Sequence, residues 1–370
     1  MNCCRRCFDD KFLKEHIEEN GDLGNCGYCG ALDEYVIEAA DLEDLFQRFL
    51  DLYAPSDDEN GEPLAYLIQD EWLIFNDDLV VKGRHDDLLQ DILKGHASEE
   101  DFLDVPCVTD LWREVLPYER LVDRWDAFAE SLREDGPAQL GDEGILVPPQ
   151  AGPDAQLNDP FVWVSEDIGH VAKTIPVGSK LFRARLRYQV ENDAPAPLPL
   201  DQMGAPPPEK VESGGRANPE GISFLYCAEE EATAISEMRP GRGQLVSVAT
   251  VETTEELDIV DFSEKKYFAT PFACDHLPSL VQSYGLFNRW GDDLAKPLRH
   301  TDEIEDYYPT QYLAQWLRAH HYDGIRYPSA MAPGGHNLVI FNPSKVRLTE
   351  CRLVQIKSID VRYGDPEPED

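Results

Sequence analysis

The sequence predicts an α+β protein with two folded units, a mainly helical N-terminal half and a second half in which strands and helices mix. In the first half, apolar residues such as Leu42, Leu45 and Phe49 recur at helical spacing. In the second half, residues 180–186 alternate apolar and basic side chains, as a strand with one buried face does, and 244–251 and 337–341 are apolar runs suited to central strands. Helices are predicted over 229–238 and 309–320. Strands that both precede and follow a helix along the chain are typical of an α+β domain.

The domain boundary is predicted where the composition changes to Gly, Pro, Asp and Gln, between Glu134 and Pro160. We therefore expect a cysteine-rich segment at 1–30, a helical domain at 31–135, a linker at 136–160, a second domain at 161–358 and an acidic tail at 359–370. A second proline-rich stretch, 193–209, lies inside the second domain. Long loops of this kind often act as lids, and disorder is the alternative.

The charge of the chain restricts its partners. Lys and Arg number 33 against 72 Asp and Glu, which gives a formal net charge of -39. Such a field repels a phosphate backbone, so we expect no nucleic-acid partner, although a few inward-pointing arginines can still hold a small anion. No apolar run approaches the roughly 18 residues of a membrane span, and the N-terminus lacks the apolar core of a signal peptide. A soluble cytoplasmic protein without a membrane partner is expected, and its oligomeric state is left open.

Five of the nine cysteines fall within the first 29 residues. Cys4 and Cys7 form one pair with two intervening residues, and Cys26 and Cys29 form another. Two such pairs offer four thiolates to one tetrahedral ion, which predicts a structural zinc ribbon without an open coordination position. Cys3 is an alternative to Cys4 as the first ligand, and a set of free buried cysteines is the alternative to a metal site.

A second group of residues has the chemistry of an anion site. Gly214 and Gly215 permit a close backbone approach beside Arg216, a strand follows that contains Tyr226, and the next helix carries Glu237. Forked guanidinium groups bind pyrophosphate through charge-assisted hydrogen bonds, and a tyrosine ring offers a face for stacking. An ionised carboxylate stabilises a positive charge that develops in a transition state. The alternative for each residue is structural, namely ion pairing, core packing or exposure to solvent.

Three further residues belong to this hypothesis. Arg183 is the second guanidinium expected to bind a pyrophosphate. Arg185 lies on the same face of the strand, so it is expected to assist Arg183 in binding or to substitute for it. The Ser329 hydroxyl is expected to orient the carboxylate or a sugar. No histidine other than His336 lies near Ser329 in the sequence, which weakens a serine-hydrolase interpretation.

Residues from about 180 to 348 resemble the RES domain, a family named for an arginine, a glutamate and a serine. The matching stretches are Leu181-Phe182-Arg183, Gly214-Gly215-Arg216-Ala217-Asn218-Pro219 with Leu225-Tyr226, Ala232-Thr233-Ala234-Ile235-Ser236-Glu237, and Gly324-Ile325-Arg326-Tyr327-Pro328-Ser329 with Asn337-Leu338-Val339-Ile340-Phe341. On this alignment the naming residues are Arg183, Glu237 and Ser329. The N-terminal half is similar to a helical, zinc-ribbon-bearing (HEPN/RES-type) extension found ahead of some RES domains.

The resemblance implies an ADP-ribosyltransferase-like fold with a split mixed sheet and an activity that consumes NAD+ by hydrolysis or phosphorolysis. It makes Arg183, Glu237 and Ser329 the expected catalytic residues. The expected NAD+-binding residues are Arg185, Gly214, Gly215, Arg216, Asn218 and Tyr226. Many members are toxins of toxin-antitoxin pairs, so an antitoxin or another inhibitory protein is an expected partner, and residues 1–150 are an alternative source of inhibition. The sequence departs from the family at Ala217, where an aromatic residue is usual, and in its long proline-rich stretch.

Two other functions are compatible with the same residues. One is protein ADP-ribosylation, in which a side chain accepts the sugar. The other is a non-catalytic adaptor whose pocket only senses a nucleotide.

Overall fold

The computed structural model describes residues 1–55, 62–94, 107–109, 121–136, 139–140, 146–147, 164, 167–212, 214–263, 270–273, 277–296 and 304–359. Contacts between Cα atoms divide the chain into a first unit, Met1–Leu121 with Lys266–Gly285, and a second unit, Val122–Lys265 with Leu286–Asp370. The assignment of 266–285 to the first unit was not predicted, and the five segment boundaries given above stay predictions. Most of the expected linker and residues 360–370 of the expected tail lie outside the described residues.

Short strands and helices build the first unit. The strands are β1 Asn2–Cys4, β2 Asp22–Gly24, β3 Glu34–Glu38, β4 Tyr53–Pro55 and β5 Cys107–Thr109, and the helices are α1 Lys11–Asn20, α2 Glu43–Gln47, α3 Leu64–Trp72, α4 Asp77–Val81 and α5 Arg84–Ile92. The first three strands form an antiparallel sheet in the order β1-β3-β2. Helix α1 begins where the Asp10 carboxylate accepts a hydrogen bond from the Leu13 backbone N–H, which satisfies one of the free donors at a helix start.

The core of the first unit is rich in phenylalanine. Phe8, Phe46, Phe49 and Phe75 are fully buried, and their rings lie about 6 Å apart. Phe272 packs on this cluster with its ring centroid 5.2 Å from that of Phe46 and 5.6 Å from that of Phe49. This contact explains why the distant segment 266–285 belongs to the first unit.

A large mixed sheet organises the second unit. The strands of this unit are β6 Gln139–Leu140, β7 Leu146–Val147, β8 Ala172–Ile175, β9 Lys180–Arg185, β10 Gln189–Glu191, β11 Ala194–Ala196, β12 Leu225–Ala228, β13 Leu245–Thr253, β14 Leu257–Asp261, β15 Gly324–Pro328, β16 His336–Ile340 and β17 Val346–Gln355. The β6–β7 and β10–β11 pairs are separate two-stranded sheets, and the other described strands of this unit form the large sheet. The helices are α6 Leu121–Asp135, α7 Glu231–Glu237, α8 Leu277–Ala295 and α9 Tyr308–Ala319. The first residue of α6 and the N-terminal part of α8, up to Gly285, are assigned to the first unit.

The strand order of this sheet is β17-β13-β9-β12-β16-β15-β14-β8. The β14–β15 pair is parallel, and every other neighbouring pair in the sheet is antiparallel. One register pair, Ala228 with Phe182, joins β12 to β9. The sheet therefore consists of two halves that meet at one residue pair, which agrees with the split mixed sheet and the α+β class predicted from the sequence.

The proline-rich stretch does not form a structureless loop. It contains the β10–β11 hairpin and two short 3₁₀ turns, Leu200–Gln202 and Pro208–Lys210. Leu198 and Met203 are buried against Ala249 of β13. Disorder, one of the two alternatives given above, is not what the structure shows, because apolar side chains of this segment find a buried partner on the sheet. A role as a lid stays a prediction.

None of the described helices combines the length and the apolar composition that crossing a bilayer needs.

Candidate functional site

A cavity of about 690 Å³ opens in the second unit, within the size range of small-molecule sites. Its wall combines β9, β12, α7 and the loop that contains Gly214. The lining residues that the sequence predicts as site residues are Arg183, Arg185, Gly214, Gly215, Arg216, Tyr226 and Glu237. Four separate segments of the chain therefore meet at this cavity.

Positive charge dominates the lining. Five arginines line the cavity together with one carboxylate, Glu237; the arginines are Arg183, Arg185, Arg187, Arg216 and Arg239. In a chain of net charge -39, this local excess of guanidinium groups is the reverse of the overall composition. Such a site attracts an anion of limited size.

Two of these arginines have unused hydrogen-bond donors. Arg183 Nη1 donates to the Tyr226 carbonyl oxygen at 2.7 Å, and Arg185 Nη2 donates to the Gly204 carbonyl oxygen at 3.1 Å. The Nε atoms of both are buried without a hydrogen-bond partner among the described residues. Burial lowers the pKa of both guanidinium groups, and a neighbouring arginine lowers each further. An anionic ligand would relieve both the missing hydrogen bonds and the uncompensated charge.

Helix α9 holds the glycine-rich loop in place. Gln311 Nε2 donates to the Gly215 carbonyl oxygen at 2.8 Å, and Thr310 Oγ1 donates to the Arg216 carbonyl oxygen at 2.5 Å. A Cβ atom at Gly215 would lie 2.7 Å from Asn218 Oδ1, and one at Gly214 would lie 2.6 Å from Gln311 Nε2. Glycine is thus needed here for close packing of the loop itself, while the expected approach to a ligand stays a prediction.

The Arg216 side chain is anchored at one end. Its Nη1 donates to the Leu294 carbonyl oxygen at 2.7 Å. Among the described residues no carboxylate pairs with Arg183, Arg185 or Arg216, so the alternative of simple ion pairing is not what the structure shows for these three.

Glu237 is held by two donors on one oxygen. Ser329 Oγ donates to Glu237 Oε1 at 2.6 Å, and Asn337 Nδ2 donates to the same oxygen at 2.7 Å. Both of these hydrogen bonds end on Oε1 and fix the carboxyl group, and among the described residues no hydrogen bond ends on Oε2.

Ser329 lies behind the carboxylate rather than at the cavity surface. Its hydroxyl oxygen accepts hydrogen bonds from the Met331 and Ala332 backbone N–H groups at 3.2 and 3.0 Å while it donates to Glu237. His336 Nδ1 lies 3.2 Å from Glu229 Oε2 instead. This geometry suits a residue that positions Glu237. Among the described residues no imidazole hydrogen-bonds to Ser329 Oγ, as activation of a serine nucleophile would need.

Tyr226 lines the cavity, and its hydroxyl is held by two hydrogen bonds. The hydroxyl donates to Asn218 Oδ1 at 2.6 Å and accepts from the Ala217 backbone N–H at 3.1 Å. Burial raises the pKa of Tyr226 to about 12, so the hydroxyl remains a donor at neutral pH. Asn218 and Ala217 are buried and outside the lining. Asn218 stabilises the loop, and its expected contact with a ligand stays a prediction.

Several lining residues were not predicted as site residues from the sequence, among them Arg187, Arg239, Tyr307, Tyr327 and Asn337. The signal for Arg187 was present, since it continues the spacing of Arg183 and Arg185 by two residues. Asn337 had a weaker signal as a polar residue next to an apolar strand. Tyr307 and Arg239 had none, because their proximity depends on how the helices pack.

The four predicted cysteine ligands come together in the first unit. The Sγ atoms of Cys4, Cys7, Cys26 and Cys29 all lie within 4.8 Å of one another, and the Cys7–Cys26 distance is 3.4 Å. Four sulfurs around one zinc ion at about 2.3 Å lie about 3.8 Å apart, so the set fits a tetrahedral ion. The Tyr28 and Cys29 backbone N–H groups donate to Cys26 Sγ. Cys3, the alternative ligand, is buried but outside this group.

One protein-family model matches part of this chain. The family described as RES domain matches residues 184–360. Residues 184–360 therefore match a RES domain, and they include strands of the sheet that forms the cavity.

A solved structure shows a distant likeness to this chain. It is the crystal structure of the M. tuberculosis MbcT-MbcA toxin-antitoxin complex, with 17% sequence identity and a TM-score of 0.28, over 53% of this chain and 92% of that chain. No curated protein matches the sequence of this chain.

Proposed function

We propose that the RES domain breaks the glycosidic bond between nicotinamide and ribose in NAD+, as a glycohydrolase or phosphorylase. The observation that carries this proposal is the cavity itself, whose lining includes five arginines and one fixed carboxylate. NAD+ combines a pyrophosphate anion with a cationic ring on a ribose, and these are the two charges that this arrangement complements.

Binding is assigned to the arginines and the tyrosine ring. The unused Nε donors of Arg183 and Arg185, with the guanidinium of Arg216, suit the pyrophosphate oxygens. The exposed part of the Tyr226 ring suits stacking on nicotinamide or adenine.

Chemistry is assigned to Glu237. When the bond from ribose C1′ to the nicotinamide nitrogen breaks, its electron pair stays with that nitrogen and neutralises the ring, while positive charge develops on the ribose. An ionised carboxylate beside the sugar stabilises this charge more in the transition state than in the ground state. Water then adds to C1′ and releases a proton, giving ADP-ribose, or phosphate adds and gives its 1″-phosphate.

The biological role that follows is an intracellular toxin or defence effector, because uncontrolled loss of NAD+ harms a cell. An inhibitory protein or the N-terminal half would then restrain the activity. Protein ADP-ribosylation and nucleotide sensing remain the alternative functions, and they differ from the proposal in their products.

The deciding experiment is chromatography of NAD+ incubated with the purified full chain, with and without inorganic phosphate. We expect nicotinamide to be released in equal amount to ADP-ribose, or to its phosphorylated form when phosphate is present. If the NAD+ is radiolabelled in its ADP-ribose part, label that stays on protein would instead identify ADP-ribosylation. Stabilisation of the protein by NAD+ without any nicotinamide release would contradict the proposal and favour a sensor.

We further propose that the four cysteines hold one structural zinc ion. Metal analysis of the purified chain should give about one zinc per chain. Replacement of Cys26 by Ser should lower this content sharply and destabilise the first unit, because the ligands hold β1 and the turn at residues 26–29 together. Replacement of Cys351, which lies in β17, is the matched control. Full stability of the first unit after zinc removal would overturn the assignment.

A further inference from the structure

The cavity contains more arginines than a pyrophosphate requires. Arg183, Arg185 and Arg216 are half-buried, whereas Arg187 and Arg239 are exposed on the same lining. The three inner guanidinium groups already supply forked donors to two phosphate groups. The two outer arginines line the same cavity beyond the three inner ones, at its exposed rim.

The topology places these two arginines at one end of the sheet. Arg185 pairs with Ser247 in the β9–β13 register, and Arg187 follows two residues later. Arg239 lies in the turn that leads from α7 into β13 at Leu245, and so reaches the same end.

The backbone around both arginines is fixed. Ser247 is fully buried, and its hydroxyl donates to the Arg187 carbonyl oxygen at 2.6 Å. Arg239 has a φ of 47°, in the left-handed region where helices usually end with glycine. An arginine therefore occupies a position whose backbone favours a residue without a side chain, which is a local conflict of the kind that functional sites tolerate.

We propose that Arg187 and Arg239 form a subsite for a phosphate dianion, separate from the pyrophosphate. This subsite rests on the proposed function, because it assumes that the inner arginines hold a dinucleotide. Two sources supply such a dianion: the 2′-phosphate of NADP+, which carries nearly two negative charges at neutral pH, and free inorganic phosphate, which would be the acceptor of the ribose. In the first case the subsite sets a preference between NADP+ and NAD+, and in the second it sets the acceptor.

The test measures binding by calorimetry, with NAD+, NADP+ and inorganic phosphate as separate probes. The full chain carrying Glu237→Gln serves as the parent so that turnover does not interfere. Arg187→Ala and Arg239→Ala are added to it, singly and together. Arg242→Ala is the matched control, because Arg242 is an exposed arginine of the same turn that does not line the cavity.

If the 2′-phosphate is the occupant, the parent binds NADP+ at least about tenfold more tightly than NAD+. Each rim substitution then lowers this ratio of affinities by a factor of about ten, as loss of a charge-assisted hydrogen bond does. If inorganic phosphate is the occupant, the two dinucleotides bind alike, and the rim substitutions weaken phosphate binding by a similar factor. In either case Arg242→Ala retains the parent's values.

The subsite is overturned if the parent neither prefers NADP+ nor binds phosphate, or if the double variant binds all three probes as Arg242→Ala does. Failure of the proposed function has a different signature. The unaltered chain would then release no nicotinamide from NAD+, whatever the rim variants bind.

Discussion

Replacement of Glu237 by Gln should abolish nicotinamide release while the protein keeps its fold and most of its affinity for NAD+. Glutamine retains an oxygen that accepts the hydrogen bonds of Ser329 and Asn337, so the local structure survives. It lacks the negative charge, so positive charge on the ribose is no longer stabilised. We expect kcat to fall by about 10²–10³-fold or more, since removal of one preorganised electrostatic group has effects of this size.

The matched control is Glu220→Gln, which removes one negative charge from an exposed residue outside the cavity lining. This variant should keep the parent's kcat and KM. Expression of the unaltered chain in a bacterial host should arrest growth and lower cellular NAD+, and the Glu237→Gln chain should do neither. Undiminished turnover by Glu237→Gln would show that another group stabilises the transition state.

Replacement of Asp261 by Ala should destabilise the second unit by about 3–5 kcal/mol, the usual cost of removing one partner from a buried ion pair. The Asp261 side chain is 1% exposed and lies 2.8 Å from Arg326 Nη1 and 2.8 Å from Lys173 Nζ. Arg326 also forms a forked pair with Glu229. The network connects β8, β14 and β15, so its loss should act on that edge of the sheet.

The measurement is urea unfolding combined with hydrogen exchange of peptides that cover β14 and β15. Asp258→Ala, on an exposed position of the same strand, should change stability by less than about 1 kcal/mol. Equal effects of the two substitutions would show that the buried network contributes nothing beyond a surface contact.

The same network predicts a pH dependence. Burial alone would raise the pKa of Asp261, but Lys173, Ser263 and Arg326 together hold the pKa below its usual range. A carboxyl group whose pKa is lower in the folded state binds its proton more readily in the unfolded state. Its contribution is therefore complete above the unfolded pKa of about 3.9 and is lost as the pH falls through the folded value. The Asp261→Ala variant should lack this part of the acid-induced loss of stability.

Sequence patterns determined much of the second unit. The strands at 180–185, 245–253 and 336–340 and the helices at 231–237 and 308–319 agree with the predicted elements to within a few residues. Alternation and helical spacing report which side of an element is buried, and this information is local. The proline-rich stretch shows the limit, because its composition predicted a loop whereas Leu198 and Met203 pack on the sheet.

In the candidate site, too, some residues could be predicted from the sequence and others could not. Arginine, glutamate and glycine could be selected because the chemistry of each side chain is visible in the sequence. The partners that hold them were not visible: Asn337 reaches Glu237 across 100 positions, and Gln311 reaches Gly215 across 96. Their contacts depend on the order of the strands and on where α9 packs.

By itself, the sequence determined the α+β class, the spacing of the four cysteines and the residue types of an anion site, because each follows from neighbours along the chain. Only the tertiary structure decided that five arginines share one cavity, that Ser329 and Asn337 hold the same oxygen of Glu237, and that Phe272 belongs to the first unit. The physical reason is that strand order and helix packing result from burial summed over the whole fold, which no local pattern contains.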